Sequence, residues 1–175
     1  IGCGGVGLSA INGADIADAG RIIAIDTQAE KLELARTFGA TDTVDASDVD
    51  PVQAGMALTG DGVRHSFEAV GLKTTAGQAF RMLRRRGTAN IIGMIPVGVN
   101  IEISGADLLA ERRIQGSAMG SNRFPVDMPR LVNFSMSGQL KLNEPIARRI
   151  RLEDVNEAFA EMRTGKVARS VIVFD

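Results

Sequence analysis

The chain has 175 residues, of which 45% are hydrophobic and 23% are charged, and this length is enough to bury a sizeable core. Its 20 Lys and Arg against 21 Asp and Glu give a net charge of -1, which argues against a nucleic-acid or anionic-membrane partner. The sequence contains a single Cys, Cys3, and a single His, His65, which excludes a disulfide framework and every Cys/His-rich zinc site.

Short β-branched segments alternate with longer amphipathic segments, as in βαβ units built around a parallel sheet. We therefore predict an α/β fold with a doubly wound parallel sheet. The predicted strands are residues 21–25, 43–44, 63–70, 89–95 and 113–119, with a further β-branched segment at 99–103. The predicted helices are residues 28–38, 50–58, 74–85 and 106–111.

The alternation weakens near residue 120, where we place a boundary between an α/β domain at 1–120 and a smaller α+β segment at 121–175. In the second segment we predict a connection at 121–125, helices at 128–137 and 152–163, and strands at 146–150 and 170–174. The one dense basic run, Arg84 to Arg86, falls in the last turn of the predicted helix 74–85, where positive charge suits the helix dipole. We interpret this run as a solvated helix end.

The most specific motif is Gly2, Gly4 and Gly7 in the spacing G-x-G-x-x-G. A helical segment and then a hydrophobic strand follow it, and Asp26 stands at the end of that strand, 19 residues after Gly7. This is the context that a dinucleotide-binding fingerprint requires.

Each residue of the motif has a physical reason. Gly2 permits the tight turn, Gly4 lets the backbone approach a pyrophosphate, and Gly7 lets the helix pack close to the strand. The phosphates then meet a helix N-terminus, whose free N–H groups favour negative charge. Asp26 would accept hydrogen bonds from the adenine ribose and would repel a 2′-phosphate, which favours NAD over NADP.

Further motifs follow in order along almost the whole chain. They are Gly2-Cys-Gly-Gly-Val-Gly-Leu-Ser9, Arg21-Ile-Ile-Ala-Ile-Asp26, Lys31, Phe38-Gly-Ala-Thr-Asp42, Phe67-Glu-Ala-Val-Gly71, Ile92-Gly-Met94, Val155-Asn-Glu-Ala-Phe159 and Arg169-Ser-Val-Ile-Val-Phe174. With these motifs the chain resembles the medium-chain dehydrogenases, specifically the NAD-binding half of the zinc-dependent alcohol dehydrogenases. The resemblance implies a Rossmann domain followed by a segment that belongs with a GroES-like catalytic domain.

The resemblance also implies a set of cofactor-binding positions. Lys31 matches a lysine that reaches the adenine ribose, and Arg169 matches an arginine that pairs with the pyrophosphate. Val6 matches a residue behind the nicotinamide ring, and Ser117 to Met119 match a segment that holds its carboxamide. The full implied set is Gly2, Cys3, Gly4, Gly5, Val6, Gly7, Asp26, Lys31, Val70, Gly71, Ile92, Gly93, Met94, Ser117, Ala118, Met119 and Arg169.

In that family, a zinc ion held by two cysteines and a histidine polarises the alcohol oxygen. Those ligands precede the glycine motif in the family's chain, so we expect no catalytic or metal-binding residue here and no alcohol oxidation by this chain alone. Cys3 is interpreted as a small packing residue and His65 as a surface or satisfied histidine. Since a central strand should precede Gly2, we expect the chain to be the C-terminal half of a longer enzyme, with its first strand truncated.

The leading hypothesis is an NAD-dependent zinc alcohol dehydrogenase acting on a small alcohol or aldehyde. Zinc would belong to the intact enzyme, a homodimer or tetramer by resemblance, with the segment at 99–103 at the dimer edge. The alternatives are a zinc-free quinone or enoyl reductase, an NAD-sensing module that is not an enzyme, and more remotely an S-adenosylmethionine methyltransferase. No signal peptide or span of roughly 20 apolar residues is visible, so we expect a cytoplasmic protein with no membrane partner.

Overall fold

A computed structural model describes residues 1–165 and 169–174. Its helices and strands alternate in the predicted order. The strands are β1 (Ile23–Asp26), β2 (Asp42–Asp45), β3 (Val63–Glu68), β4 (Leu83–Ile91), β5 (Arg113–Gly116), β6 (Arg148–Ile150) and β7 (Ser170–Ile172). The α-helices are α1 (Gly5–Ile16), α2 (Ala29–Thr37), α3 (Pro51–Thr59), α4 (Lys73–Arg81), α5 (Gly105–Leu108), α6 (Phe124–Met136) and α7 (Val155–Arg163).

Every strand pair in the described chain is parallel. β1 pairs with β2, and β4 lies between β3 and β5. Residues 1–2 join these two groups: Gly2 N donates to Ile25 O at 2.8 Å, and Ala69 N donates to Ile1 O at 2.9 Å. The spatial order is therefore β2, β1, residues 1–2, β3, β4, β5, which confirms the predicted Rossmann-like α/β fold.

β1 and β3 do not hydrogen-bond to each other. A cavity of about 710 Å³ separates them, lined by residues of both strands and of α1, among them Ile11, Ile23, Val63 and Phe67. The cavity extends from residues 1–3 toward the beginning of the strands. Gly2, Cys3 and Gly7 line it, whereas the other predicted site residues do not. It is a gap between two sheet edges.

Three apolar clusters anchor the helices to the sheet, and two of them involve α1, α2 and α4. Leu8 on α1, Ala24 on β1 and Leu32 on α2 are buried together with Phe38, which follows α2. Phe80 on α4 and its neighbour Leu83 on β4 form the centre of the second cluster and are fully buried. Since burial of one such side chain contributes roughly 1.5–3 kcal/mol, these contacts fix the strand ends that carry the site.

The interpretation of the basic run as a helix end is wrong. α4 ends at Arg81 and β4 begins at Leu83, so Arg84 to Arg86 lie in a strand. Leu83 is buried against α4, and this tertiary contact outweighs the helical preference of the arginines. Arg86 has φ 61° and pairs with Glu111, with 2.9 Å between Nε and Oε2. The run is still a solvated surface, because Arg85 and Arg86 are exposed.

The segment at 99–103 is not a strand among the described residues. It follows a turn in which Val99 N donates to Pro96 O at 3.1 Å, and no hydrogen-bonded neighbour strand is present beside it. Its exposure alternates, with Ile101 and Ile103 half-buried and Glu102 exposed, and Ile103 packs against the cluster around Phe80. The alternation of apolar and polar residues is thus reflected in their exposure, but a strand also requires a hydrogen-bonding partner.

The C-terminal segment follows the predictions with shifted boundaries. α6 begins four residues before the predicted position 128, since Pro125 is tolerated in the first turn of a helix. A 3₁₀ turn, Leu152–Asp154, precedes α7, and β6 and β7 form a separate parallel pair. Within the described ranges, no helix combines the length and the apolar character needed to cross a membrane.

Asn12, fully buried on α1, connects the C-terminal segment to the first helix. Its Nδ2 donates to Gln139 O at 3.1 Å, and its Oδ1 accepts from Lys141 N at 2.9 Å. We predict that Asn12→Ala lowers the free energy of unfolding by roughly 2–4 kcal/mol, because two backbone groups lose their partner. Urea unfolding measures this, with exposed Ser9→Ala on the same helix as the control, and a loss below about 0.5 kcal/mol would contradict the prediction.

Candidate functional site

The glycine turn is held by close backbone contacts. Gly2 has φ 87°, a left-handed conformation that favours glycine, and a Cβ there would lie 2.6 Å from Cγ2 of Val70. A Cβ on Gly7 would overlap the carbonyl oxygen of Gly2, so the first turn of α1 lies directly against the chain that enters it. The physical reasons that the sequence gives for Gly2 and Gly7 are confirmed.

The N-terminus of α1 is open. Gly4 is its N-cap, and glycine has no side chain that could accept hydrogen bonds from the first N–H groups. Nothing lies within 4 Å of a Cβ placed on Gly4, so the space in front of the helix is free. The first four N–H groups of a helix have no partner within it, and here these belong to Gly4, Gly5, Val6 and Gly7. No acidic residue occupies this turn, and the side chain of Val6 is 56% exposed. The chemistry of this end therefore fits an anionic group such as a pyrophosphate.

Asp26 ends β1 beside this turn. Its Oδ2 accepts from Cys3 N at 2.7 Å, and its Oδ1 accepts from Thr27 N at 2.8 Å and from Gln28 N at 3.1 Å. The carboxylate thus fastens the glycine turn to β1. It remains half-buried, and Oδ2, which has one donor, can accept a further hydrogen bond from a ligand.

The predicted residues after β3 and β4 also meet. A Cβ on Gly71, which has φ 90°, would lie 2.7 Å from the carbonyl oxygen of Met94. Ile92 N and Gly93 N both donate to Glu68 O, at 2.8 and 3.0 Å. Because all these residues follow the carboxyl ends of parallel strands, they lie along the same sheet edge as Asp26.

The segment after β5 reaches the same edge. Ser117 N donates to Ile91 O at 3.0 Å, and Ala118 then leads into a short 3₁₀ turn, Met119–Ser121. The side chains of Met94 and Met119 are 91% and 84% exposed, which is unusual for large apolar groups and leaves both free to cover a ligand.

The remaining two predicted residues differ in their placement. Lys31 is half-buried on α2, and its Nζ would lie 3.7 Å from a Cβ on Gly165, so the end of α7 approaches this helix. Arg169 is exposed just before β7, where its carbonyl oxygen accepts a hydrogen bond from Ala147 N at 2.8 Å. The described contacts therefore do not join Arg169 to the others.

Cys3 is a buried packing residue, as the sequence predicts. It is 1% exposed, and burial raises the pKa of its thiol to about 11. The thiolate is the reactive form, so we predict very slow alkylation of the folded chain by iodoacetamide at pH 8, with a rate that rises toward pH 11. Mass spectrometry measures the labelling, with the urea-unfolded chain as the control. Equal rates in the folded and the unfolded chain would contradict this.

The described residues do not form a metal centre. No group of three or more His, Cys, Asp or Glu side chains could hold an ion in this part of the chain, and His65 is exposed on β3. Zinc therefore does not fit the residues that the structure describes.

Sequence reasoning missed Glu68. This residue, 0% exposed, is one of the three buried polar or charged residues of the described chain. Its carboxylate accepts hydrogen bonds from the turn after β3, which carries Val70 and Gly71. The signal was present in the sequence, because a single Glu inside an otherwise apolar strand end requires a partner when it is buried.

Comparisons with known proteins come from sequence and structure. A family model described as zinc-binding dehydrogenase matches residues 5–134. The S-(hydroxymethyl)glutathione dehydrogenase of Synechocystis sp. is 40% identical over 174 residues, which are 98% of this chain and 47% of that protein. The chain thus spans about half the length of the curated relatives it matches.

Solved structures show the same relationship. The alcohol dehydrogenase zinc-binding domain protein of Burkholderia ambifaria superposes with a TM-score of 0.95 at 31% identity, covering 100% of this chain and 47% of that one. A zinc-binding dehydrogenase of Sinorhizobium meliloti, solved with NADP bound, gives a TM-score of 0.89 at 30% identity, covering 98% of this chain and 50% of that one.

Proposed function

Because the chain belongs to the zinc-binding dehydrogenase family, we propose that it is the coenzyme-binding portion of an NAD-dependent alcohol dehydrogenase. The observation that carries the proposal is that an open helix N-terminus at Gly4 lies beside Asp26. The hydrogen bond from Cys3 N to the Asp26 carboxylate holds the two together. Family membership also sets aside the methyltransferase alternative.

In this proposal the backbone N–H groups of Gly4, Gly5 and Val6 bind the pyrophosphate, and Asp26 accepts the hydroxyls of the adenine ribose. Lys31 approaches the same ribose, and Arg169 approaches the phosphates from the C-terminal segment. NAD supplies a hydride acceptor when it is bound. The chain's own task is to orient that coenzyme and to exclude water from it.

The nicotinamide end of the coenzyme is assigned to the ends of β3, β4 and β5. The turn with Val70 and Gly71 and the residues from Ile92 to Met94 form one wall of the cleft. Residues 117–119 form the other wall and offer backbone groups to the carboxamide. The exposed side chains of Met94 and Met119 support this assignment, since a bound ring would cover apolar surface there.

We assign the reaction to hydride transfer between an alcohol and its aldehyde. The zinc ion of such an enzyme needs ligands that the described residues do not provide, so we propose that this chain alone binds coenzyme without oxidising alcohol. The segment at 121–175, whose helix α6 exposes Phe124, Val132 and Met136, then packs with the catalytic domain. We also propose that the intact enzyme is a homo-oligomer and is located in the cytoplasm.

Direct titration tests the proposal. We expect NADH to bind with a rise in its fluorescence, NADPH to bind at least roughly tenfold more weakly because Asp26 repels the 2′-phosphate, and S-adenosylmethionine not to bind. Because a similar protein was solved with NADP bound, the ratio of the Kd values of NADH and NADPH distinguishes the two coenzymes for this chain. Tighter binding of NADPH would overturn the choice of coenzyme, and failure to bind either dinucleotide would overturn the function.

A further inference from the structure

Glu68, the last residue of β3, is a charged residue in a fully buried place. Its Oε1 accepts hydrogen bonds from Val70 N at 2.9 Å and from Gly71 N at 2.7 Å. The hydroxyl of Thr75, on α4, donates to the same oxygen at 2.7 Å. One carboxylate oxygen therefore ties the turn after β3 to the helix that follows it.

The main chain of Glu68 makes a second junction. Its carbonyl oxygen accepts from Ile92 N and Gly93 N, which follow β4. A Cβ on Gly93 would lie 2.5 Å from Glu68 Oε2 and would overlap Gly71 N, so Gly93 lies directly on this junction. Side chain and main chain of one residue thus join two neighbouring strand ends.

Burial of this carboxylate is costly. Oε2 is buried and has no hydrogen-bond partner in the part of the chain that the structure describes, while Oε1 has three donors. An apolar side chain would fill the same space without that cost but would leave Val70 N and Gly71 N without an acceptor. The carboxylate therefore serves to hold the turn in its conformation.

We propose that Glu68 is a positioning residue for the coenzyme cleft, holding the turn at 69–72 and the residues after β4 at the separation that the dinucleotide needs. The inference rests on the proposed function, because these two segments are the wall assigned to the coenzyme. Glu68 itself is buried beneath the wall and acts through Val70 and Gly71. Without it, part of the binding free energy is spent on ordering the turn.

The test uses the full chain and four variants. Glu68→Ala removes the acceptor, Glu68→Gln keeps an acceptor oxygen, and Thr75→Val removes one donor. Ser66→Ala is the matched control: Ser66 is 5% exposed on the same strand, and its hydroxyl donates to Ala79 O at 2.7 Å, on α4. Two readouts are measured, namely amide hydrogen exchange at positions 70 and 71 without coenzyme, and the Kd of NADH.

We expect Glu68→Ala to accelerate exchange at Val70 and Gly71 roughly tenfold and to raise the Kd of NADH by about the same factor. Glu68→Gln should restore both readouts to within about threefold of the unmodified chain, and Thr75→Val should raise the Kd about threefold. Ser66→Ala should lower stability while both readouts stay within about twofold.

An unchanged Kd in Glu68→Ala, or an equal rise in Ser66→Ala, overturns the inference. If Glu68→Ala does not fold, an unchanged Kd in Thr75→Val overturns it. A chain that binds no NADH even with Glu68 present contradicts the proposed function instead. In that case exchange at Val70 and Gly71 still decides whether Glu68 holds the turn, and unchanged exchange in Glu68→Ala rejects the positioning role.

Discussion

Replacing Asp26 by Ala is expected to raise the Kd of NADH by roughly 30-fold or more, corresponding to about 2 kcal/mol. The charged acceptor for the ribose is lost, and Cys3 N loses its partner at the same time. Binding of NADPH should weaken much less, because the repulsion of its 2′-phosphate disappears with the carboxylate. The ratio of the two Kd values is therefore the sharpest readout, and fluorescence titration of both coenzymes measures it.

Asp45 provides the matched control for Asp26. It ends β2, the next strand, and its carboxylate is occupied by Ser47, whose backbone N and hydroxyl both donate to it and keep the pKa of Asp45 below its ordinary value. Asp45→Ala should leave both Kd values within about twofold. An Asp26→Ala chain that still prefers NADH by the original ratio would show that Asp26 does not contact the ribose.

The second large effect is expected at Gly7. A Cβ at this position would overlap the carbonyl oxygen of Gly2, and both groups are backbone, so neither can rotate away. Relief requires α1 to move from the sheet, which also separates Leu8 from its cluster. We expect Gly7→Ala to lower the free energy of unfolding by about 3 kcal/mol or more. Urea unfolding measures this loss.

Gly13 allows a controlled comparison on the same helix. It is exposed, and nothing lies within 4 Å of a Cβ placed there. Gly13→Ala should therefore stabilise the chain by about 0.5–1 kcal/mol, because alanine suits a helix interior better than glycine does. If Gly7→Ala and Gly13→Ala had the same stability, the close approach of α1 to the glycine turn would be contradicted.

Local features of the sequence were sufficient to predict the glycine turn and the position of Asp26 at the end of β1. Gly2 suits the turn because of its left-handed φ, Gly7 is required by its contact with the carbonyl oxygen of Gly2, and Asp26 ends a strand whose apolar run is continuous. Such signals depend on backbone geometry that one short segment determines. For the same reason the order of helices and strands was predicted correctly except for the segment at 99–103, with boundaries that shifted by a few residues.

Features that depend on distant residues were harder to predict. Arg84 to Arg86 follow a helical pattern, and only the burial of Leu83 against α4 places them in β4. Residues 99–103 have strand character, but their backbone pairs with no neighbouring strand in the described chain. The role proposed for Glu68 depends on donors from a turn and from α4, two to seven residues away, and on two amides after β4. No single sequence window contains all of these groups.

The most direct test of the coenzyme site is NADH titration of the isotopically labelled chain, followed by backbone amide chemical shifts. If the site is the carboxyl edge of the sheet, the largest shifts belong to Gly4, Gly5 and Val6, with further shifts at Gly71 and Gly93. Shifts that are confined to β6 and β7, or the absence of shifts at saturating NADH, would contradict the assignment of this edge as the dinucleotide site.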